Sequence, residues 1–288
     1  MKCPVKRIWC FILLVSLLVS SFPVPAFASE LPLLGGEGGL LMVGPGQAFE
    51  TIQAAVDAAA NGDVILVYPG VYTEAVDVQK KTLTIMGTSR RSCILTYPNG
   101  NYLKPPLEMG SGTLMNLTIY ASAQEKDPNI FAKAYAMHTD YDISANNHLL
   151  VKNVDFINDD YQTVGIGLRK NFILEFENCR FICNGNKNAF FCHDDPVTQP
   201  APGQRLIVRH CYFRNSGTSP TILLQSQERW GSQITCLWQN NVVVNLAQEA
   251  VLNMHLTADA YIGGSWLETS YWQNHPGSRG NSVPELNN

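Results

Sequence analysis

Residues 152–156 are Lys152-Asn153-Val154-Asp155-Phe156, and 25 positions later the pattern returns as Glu177-Asn178-Cys179-Arg180-Phe181. Both run polar, Asn, small or apolar, variable, apolar. Met115-Asn116-Leu117-Thr118-Ile119, Arg209-His210-Cys211-Tyr212-Phe213 and Gln239-Asn240-Asn241-Val242-Val243 fit the same frame, with anchors at 116, 153, 178, 210 and 240. The spacings of 37, 25, 32 and 30 are too uneven for stacked helical repeats and suit short strands joined by turns of variable length. A further β-rich run begins eleven residues after each of the last four anchors, at 164–168, 189–193, 221–225 and 251–255. Several strands per repeat with no helix between them predict an all-β chain, a single right-handed parallel β-helix (a solenoid) of about eight coils. Adjacent coils lie about 4.8 Å apart. The anchor residue then sits at a tight turn, where Asn tolerates the left-handed conformation, and its amide bonds to its neighbours in a ladder.

Upstream, residues 49–60 place apolar side chains at 49, 52, 55, 56, 59 and 60, a helical face ended by Asn61-Gly62. Asp63-Val64-Ile65-Leu66-Val67-Tyr68 reads as a buried strand and Pro69-Gly70 as a turn. A parallel stack leaves unpaired edges and an open core at its ends, so this segment is expected to be an N-terminal capping α-helix. Residues 43–274 form the predicted β-helix domain. Residues 29–42, with Gly35-Gly36-Glu37-Gly38-Gly39, read as a flexible lead-in, and residues 275–288 as a polar tail.

The first 28 residues have the organisation of a secretory signal peptide: Lys2, Lys6 and Arg7, an apolar run over 8–19, and Ala26-Phe27-Ala28 before the cut. The run is short for a membrane span. The expected localisation is therefore secreted, extracellular or cell-surface, with no membrane span. The net charge of −4 argues against a nucleic-acid partner, which would need a basic face. Cys93, Cys179, Cys183, Cys192, Cys211 and Cys236 show no CxxC or zinc spacing and read as buried free thiols.

The opening of the domain resembles that of pectin methylesterases, members of the pectin-lyase-like superfamily. The resemblance is carried by Ala48-Phe49-Glu50-Thr51-Ile52-Gln53-Ala54-Ala55-Val56-Asp57-Ala58-Ala59, by Gly62-Asp63-Val64-Ile65 and by Pro69-Gly70-Val71-Tyr72-Thr73-Glu74. Gln162-Thr163-Val164-Gly165-Ile166-Gly167-Leu168 and Glu177-Asn178-Cys179-Arg180-Phe181 look like the family's QAVAL and NCRF segments, so the likeness spans about residues 42–245. It implies the same fold and a pectinesterase-like or related activity on plant cell-wall polysaccharide. The family's QDT, DFxFG and GRPW motifs supply a general acid, a nucleophilic Asp and a positioning Arg, and they are absent. Val154-Asp155-Phe156-Ile157-Asn158 lies upstream of Gln162, in the anchor strand, and Arg229-Trp230 is the nearest echo of the third motif. The family's catalytic residues are not carried over.

Counting from the anchors predicts which polar residues share a lip. Fifteen residues on lie Leu168, His193, Gln225 and His255; sixteen on lie Arg169, Asp194 and Ser226; seventeen on lie Lys170, Asp195 and Gln227. Ala136-Met137-His138-Thr139-Asp140 matches Phe191-Cys192-His193-Asp194-Asp195, which sets His138 beside His193 and Asp140 beside Asp195. Such a lip suits an acidic polysaccharide: Arg169 or Lys170 neutralises uronate groups, Trp230 stacks on a sugar ring, and His138, Asp140, His193, Gln225, Gln227 and His255 bond hydroxyls. Catalysis would fall to Asp194 or Asp195 with Glu228 as a carboxylate pair, and Arg229 would stabilise developing charge. No metal site and no cofactor are assigned; Ca²⁺ enters only for lyase chemistry. The partner is then a polysaccharide, uronate-containing, and the chain is either a carbohydrate esterase, lyase or hydrolase or a non-catalytic glycan-binding module of the adhesin or tail-spike type.

Overall fold

The computed structural model describes residues 38–78, 81–97, 104–121, 135–139, 147–194, 203–225, 234–246, 252–255, 260–262, 266–267 and 272–274. All of its strand pairs are parallel, and they form three sheets of nine, eight and eight strands, here A, B and C. The chain visits them in the fixed order A, B, C and closes eight coils after a lone first strand, Leu40–Val43. This is the right-handed parallel β-helix expected from the repeat. In coil 4 the three strands are His148–Lys152, Asp155–Asn158 and Val164–Leu168; in coil 5, Ile173–Glu177, Arg180–Cys183 and Phe190–Asp194; in coil 6, Gln204–Arg209, Tyr212–Asn215 and Ile222–Gln225. The solenoid begins at Leu40 rather than at residue 43, because Leu40–Val43 pairs with Val64–Val67. Residues 1–37 and 275–288 lie outside the described residues.

Each anchor occupies the corner between sheets A and B in the left-handed conformation: Asn116, Asn153, Asn178, His210 and Asn240 have φ of 59°, 56°, 54°, 55° and 51°. The Asn153 amide donates to Asn116 Oδ1 at 2.6 Å, and that of Asn178 to Asn153 Oδ1 at 3.3 Å. A second polar column at the B-to-C corner was missed by sequence reasoning. Asn158, Cys183, Asn215 and Asn245 are in register. Asn158 donates to Gln162 O at 2.8 Å and accepts from the backbone N–H of Asp160 and Tyr161, while Asn215 repeats the device with Ser219 O and the Gly217 N–H. Burying these turns leaves backbone groups without water, and the side chains satisfy them. The signal was present in sequence, since each residue lies five beyond its anchor.

Strand alternation sends one side chain in two to the core. Sheet B aligns Ile119, Phe156, Phe181, Phe213 and Val243 in one fully buried column. The Phe156–Phe181 and Phe181–Phe213 rings stack at 5.3 and 4.7 Å, and Phe176 and Phe190 meet Phe181 edge-on at 5.2 Å each.

The helix runs from Ile52 to Ala58 and buries Ile52, Ala55 and Val56, so it is shorter than the 49–60 expected. Phe49 instead bridges to Val43, and Ala59 is already extended. Glu74 accepts from the Ile52 and Gln53 N–H groups at 2.8 and 2.9 Å, and Lys81 donates to the Val56, Asp57 and Ala59 carbonyls at 2.6–3.0 Å. Charges from the first coils thus complement both ends of the helix. No helix among the described residues is long and apolar enough to cross a membrane.

Candidate functional site on the outer face of sheet C

The predicted lip falls on sheet C, and its rows are fixed by strand register. His193, Gln225 and His255 share one row, as the count from the anchors requires. Two placements need correction. Opposite His193 on coil 4 stands Gly167, and Leu168 stands opposite Asp194, so Arg169 is not the neighbour of Asp194. The cause is turn length: five residues separate Asn158 from Val164, but six separate Cys183 from Phe190, Asn215 from Ile222 and Asn245 from Leu252. A slip of one residue exchanges inward and outward positions, and Leu168 is accordingly fully buried in the core. His138 is also displaced. It pairs with Gly165, which pairs with Phe191, so it lies two positions from the His193 row. A two-residue shift keeps the same face outward, about 6.6 Å along the strand. The connection between Ala121 and Met137 has no counterpart in coils 4 to 7, so counting from the anchor could not fix His138.

Arg169 and Lys170 follow the coil 4 strand at the start of a turn, half-buried and exposed respectively. His193 is half-buried, with its ring 5.0 Å from that of Phe191. Asp194 ends the coil 5 strand in the register of the buried Leu168, one step off the outward His193 row and so not on the lip as expected, while Gln225 and His255 are placed on that row by backbone register. Asp140, Asp195, Gln227, Glu228, Arg229 and Trp230 lie outside the described residues.

Sequence reasoning did not find the group around His138. Its Nδ1 is 2.7 Å from Glu108 Oε2, and both residues are 3% exposed. The two are in-register neighbours on coils 3 and 2. With Glu108 ionised, Nδ1 carries the proton toward it, which fixes tautomer and ring plane. The Tyr135 ring lies parallel to the imidazole, 2° apart in plane and 5.1 Å between centroids, and Tyr161 is 6.1 Å from Tyr135. Burial pushes the Tyr161 phenol upward. Beside them Thr139 Oγ1 both donates to Gly167 O and accepts from its N–H, at 3.0 and 2.9 Å, replacing the strand bond where the coil 3 strand ends.

Asp155 belongs to another face. On sheet B its 6%-exposed carboxylate sits 3.5 Å from Arg90 and 3.2 Å from Arg180. Burial raises its pKa, with Arg90 and then Arg180 pulling it back. Among the described residues no three His, Cys, Asp or Glu side chains converge to hold a metal ion.

No protein-family model and no curated protein matches the chain. Solved structures do. A pectin methylesterase variant in complex with a hexasaccharide superposes with a TM-score of 0.55 at 16% identity, covering 79% of this chain and 78% of its own. The pectin methylesterase PemA from Erwinia chrysanthemi gives 0.50 at 11% identity, covering 87% and 99%. The fold is that of the pectin methylesterases, the pectin-lyase-like parallel β-helix.

Proposed function

We propose that this chain is an exported carbohydrate-active protein that engages an acidic, uronate-containing polysaccharide along the outer face of sheet C. The observation that carries the reading is the row His193, Gln225 and His255, in register over three coils, with the Phe191 ring 5.0 Å from that of His193. Coil spacing presents polar groups at about 4.8 Å intervals, close to the repeat of an extended sugar chain, and aromatic rings supply apolar area for sugar faces. A solved structure with this fold has a hexasaccharide bound. Export rests on the basic, apolar and small-residue order of the first 28 residues.

Asp195, with Glu228 and Arg229, is the proposed reactive set, for ester hydrolysis or cleavage of a uronan; Asp194 shares the backbone register of the inward Leu168. A second reading, a non-catalytic glycan-binding module, is favoured by the chain's lack of QDT, DFxFG and GRPW. One experiment separates the two. Protein lacking residues 1–28 is incubated with methylated and de-esterified pectins and with alginate, following methanol, reducing ends and the absorbance of unsaturated products. Turnover lost in Asp195→Ala, with binding kept, supports the enzyme. Binding without turnover supports the module. Neither binding nor turnover on any uronan overturns both.

A further inference from the structure

We propose that Tyr135 is the sugar-stacking residue of this face, and that Glu108 and His138 are positioning residues that hold its ring flat over Gly165. The inference rests on the glycan reading above and adds residues that the anchor count does not reach.

Gly165 is the first sign. A Cβ on it would lie 2.9–3.0 Å from three atoms of the Tyr135 ring, so the ring rests directly on the backbone of coil 4. Gly165 is not among the residues with positive φ, so its backbone does not demand glycine; the ring above it does. The plane of that ring is set from the side. His138 is stacked parallel to it, and Glu108 fixes His138 through the 2.7 Å contact, with both members of the pair buried. A buried carboxylate–imidazole pair is costly to desolvate, and apolar side chains of similar volume would pack the same space. What the pair adds is orientation: a carboxylate holds an imidazole in one plane, and the imidazole holds the tyrosine. Tyr135 itself is half-buried. Tyr161 closes one side at 6.1 Å, while Phe191 continues the outward row on coil 5. The product is a fixed aromatic plate, the surface onto which the C–H face of a pyranose packs, and the ligand class is an oligosaccharide of hexuronate units.

The test uses a galacturonate hexamer as the probe, calorimetry for the dissociation constant and thermal melting for the fold. Tyr135→Phe is expected to bind within about twofold of wild type, and Tyr135→Ala about tenfold more weakly, the size of one aromatic contact. Gly165→Ala, which lifts the ring without touching it chemically, and Glu108→Gln, which removes the orienting charge, are each expected to lose several-fold although Tyr135 is intact. Wild type binding with Tyr135→Ala unchanged overturns the stacking role and leaves the proposed function standing. Gly165→Ala and Glu108→Gln that bind normally while melting lower reduce the pair to a structural one. Should Glu108→Gln not fold, Gly165→Ala and Tyr135→Ala still decide the matter. Wild type that binds no uronate oligomer overturns both this proposal and the function it rests on.

Discussion

Replacing Asn153 separates two contributions that are fused in the corner ladder. Its φ of 56° is left-handed, its amide donates to Asn116 at 2.6 Å and its Oδ1 accepts from Asn178 at 3.3 Å. That backbone turn also lets the Asn153 N–H reach Glu177 O at 2.9 Å, so the corner cannot relax without breaking the coil 4 to coil 5 pairing. Losing two amide bonds costs about 0.5–1.5 kcal/mol each, the longer and exposed one at the low end. Holding alanine at positive φ adds about 1–2 kcal/mol. Asn153→Ala should therefore lose about 2–5 kcal/mol, and Asn153→Gly only the hydrogen-bond share, about 1–3 kcal/mol. Glycine should thus be the more stable variant by about 1 kcal/mol, the reverse of the ordinary order inside a strand or helix. Equilibrium urea unfolding followed by far-ultraviolet circular dichroism, extrapolated linearly to water, measures the gap. An alanine variant as stable as the glycine one, or more so, would refute the assignment of strain to this corner. Asn240→Ala is the control, because among the described residues that amide meets only His210, at 3.4 Å, and most of its loss should be backbone strain.

Three further outcomes follow from packing and charge. Phe181→Ala, at the centre of the stacked column, should cost about 3–5 kcal/mol by chemical denaturation, and a loss under about 1 kcal/mol would mean that the column is not close-packed. Arg180→Ala should destabilise most at neutral pH: Asp155 has its pKa raised by burial, so its ionisation opposes folding as pH rises through the folded value. Removing a counter-charge enlarges that cost, and the deficit should shrink toward zero below the ordinary aspartate value of 3.8; a pH-independent deficit would contradict it. The six described cysteines are buried thiols outside any disulfide, and burial pushes Cys236 to about 12, so a thiol-specific reagent should label none of them in the native protein and all six in concentrated guanidinium chloride.

The architecture was legible because its determinants are periodic. An Asn at a corner leaves a mark at every coil, and even His210 keeps the left-handed φ of the asparagines around it. The helix was legible in type but not in extent, since Phe49 and Ala59 take apolar contacts that an amphipathic pattern cannot distinguish from helical ones. The second polar column escaped notice because Asn158, Asn215 and Asn245 end strands whose other inward residues are apolar, and Cys183 interrupts the series. On the ligand face, the row from His193 to His255 was readable where corners have equal length. It failed at Leu168, whose apolar side chain in an otherwise polar series was itself a sign of a slipped frame. The Glu108–His138–Tyr135 group has no sequence signature: thirty residues separate Glu108 from His138, and only tertiary structure brings them to 2.7 Å.

The short corner between Asn158 and Val164 behaves like a vernier. Sheets A and B step by 25 residues from coil 4 to coil 5, as Leu149 to Leu174 and Asp155 to Arg180 show, while sheet C steps by 26, from Gly167 to His193. The core column and the asparagine ladder are thus indifferent to a change that re-addresses a whole strand of the outer face. Adding or removing one residue there turns a strand's polar set inward, whereas two slide the same set along by one rung. In such a solenoid, ligand preference can be rewritten at the corners alone, with every strand residue left as it is.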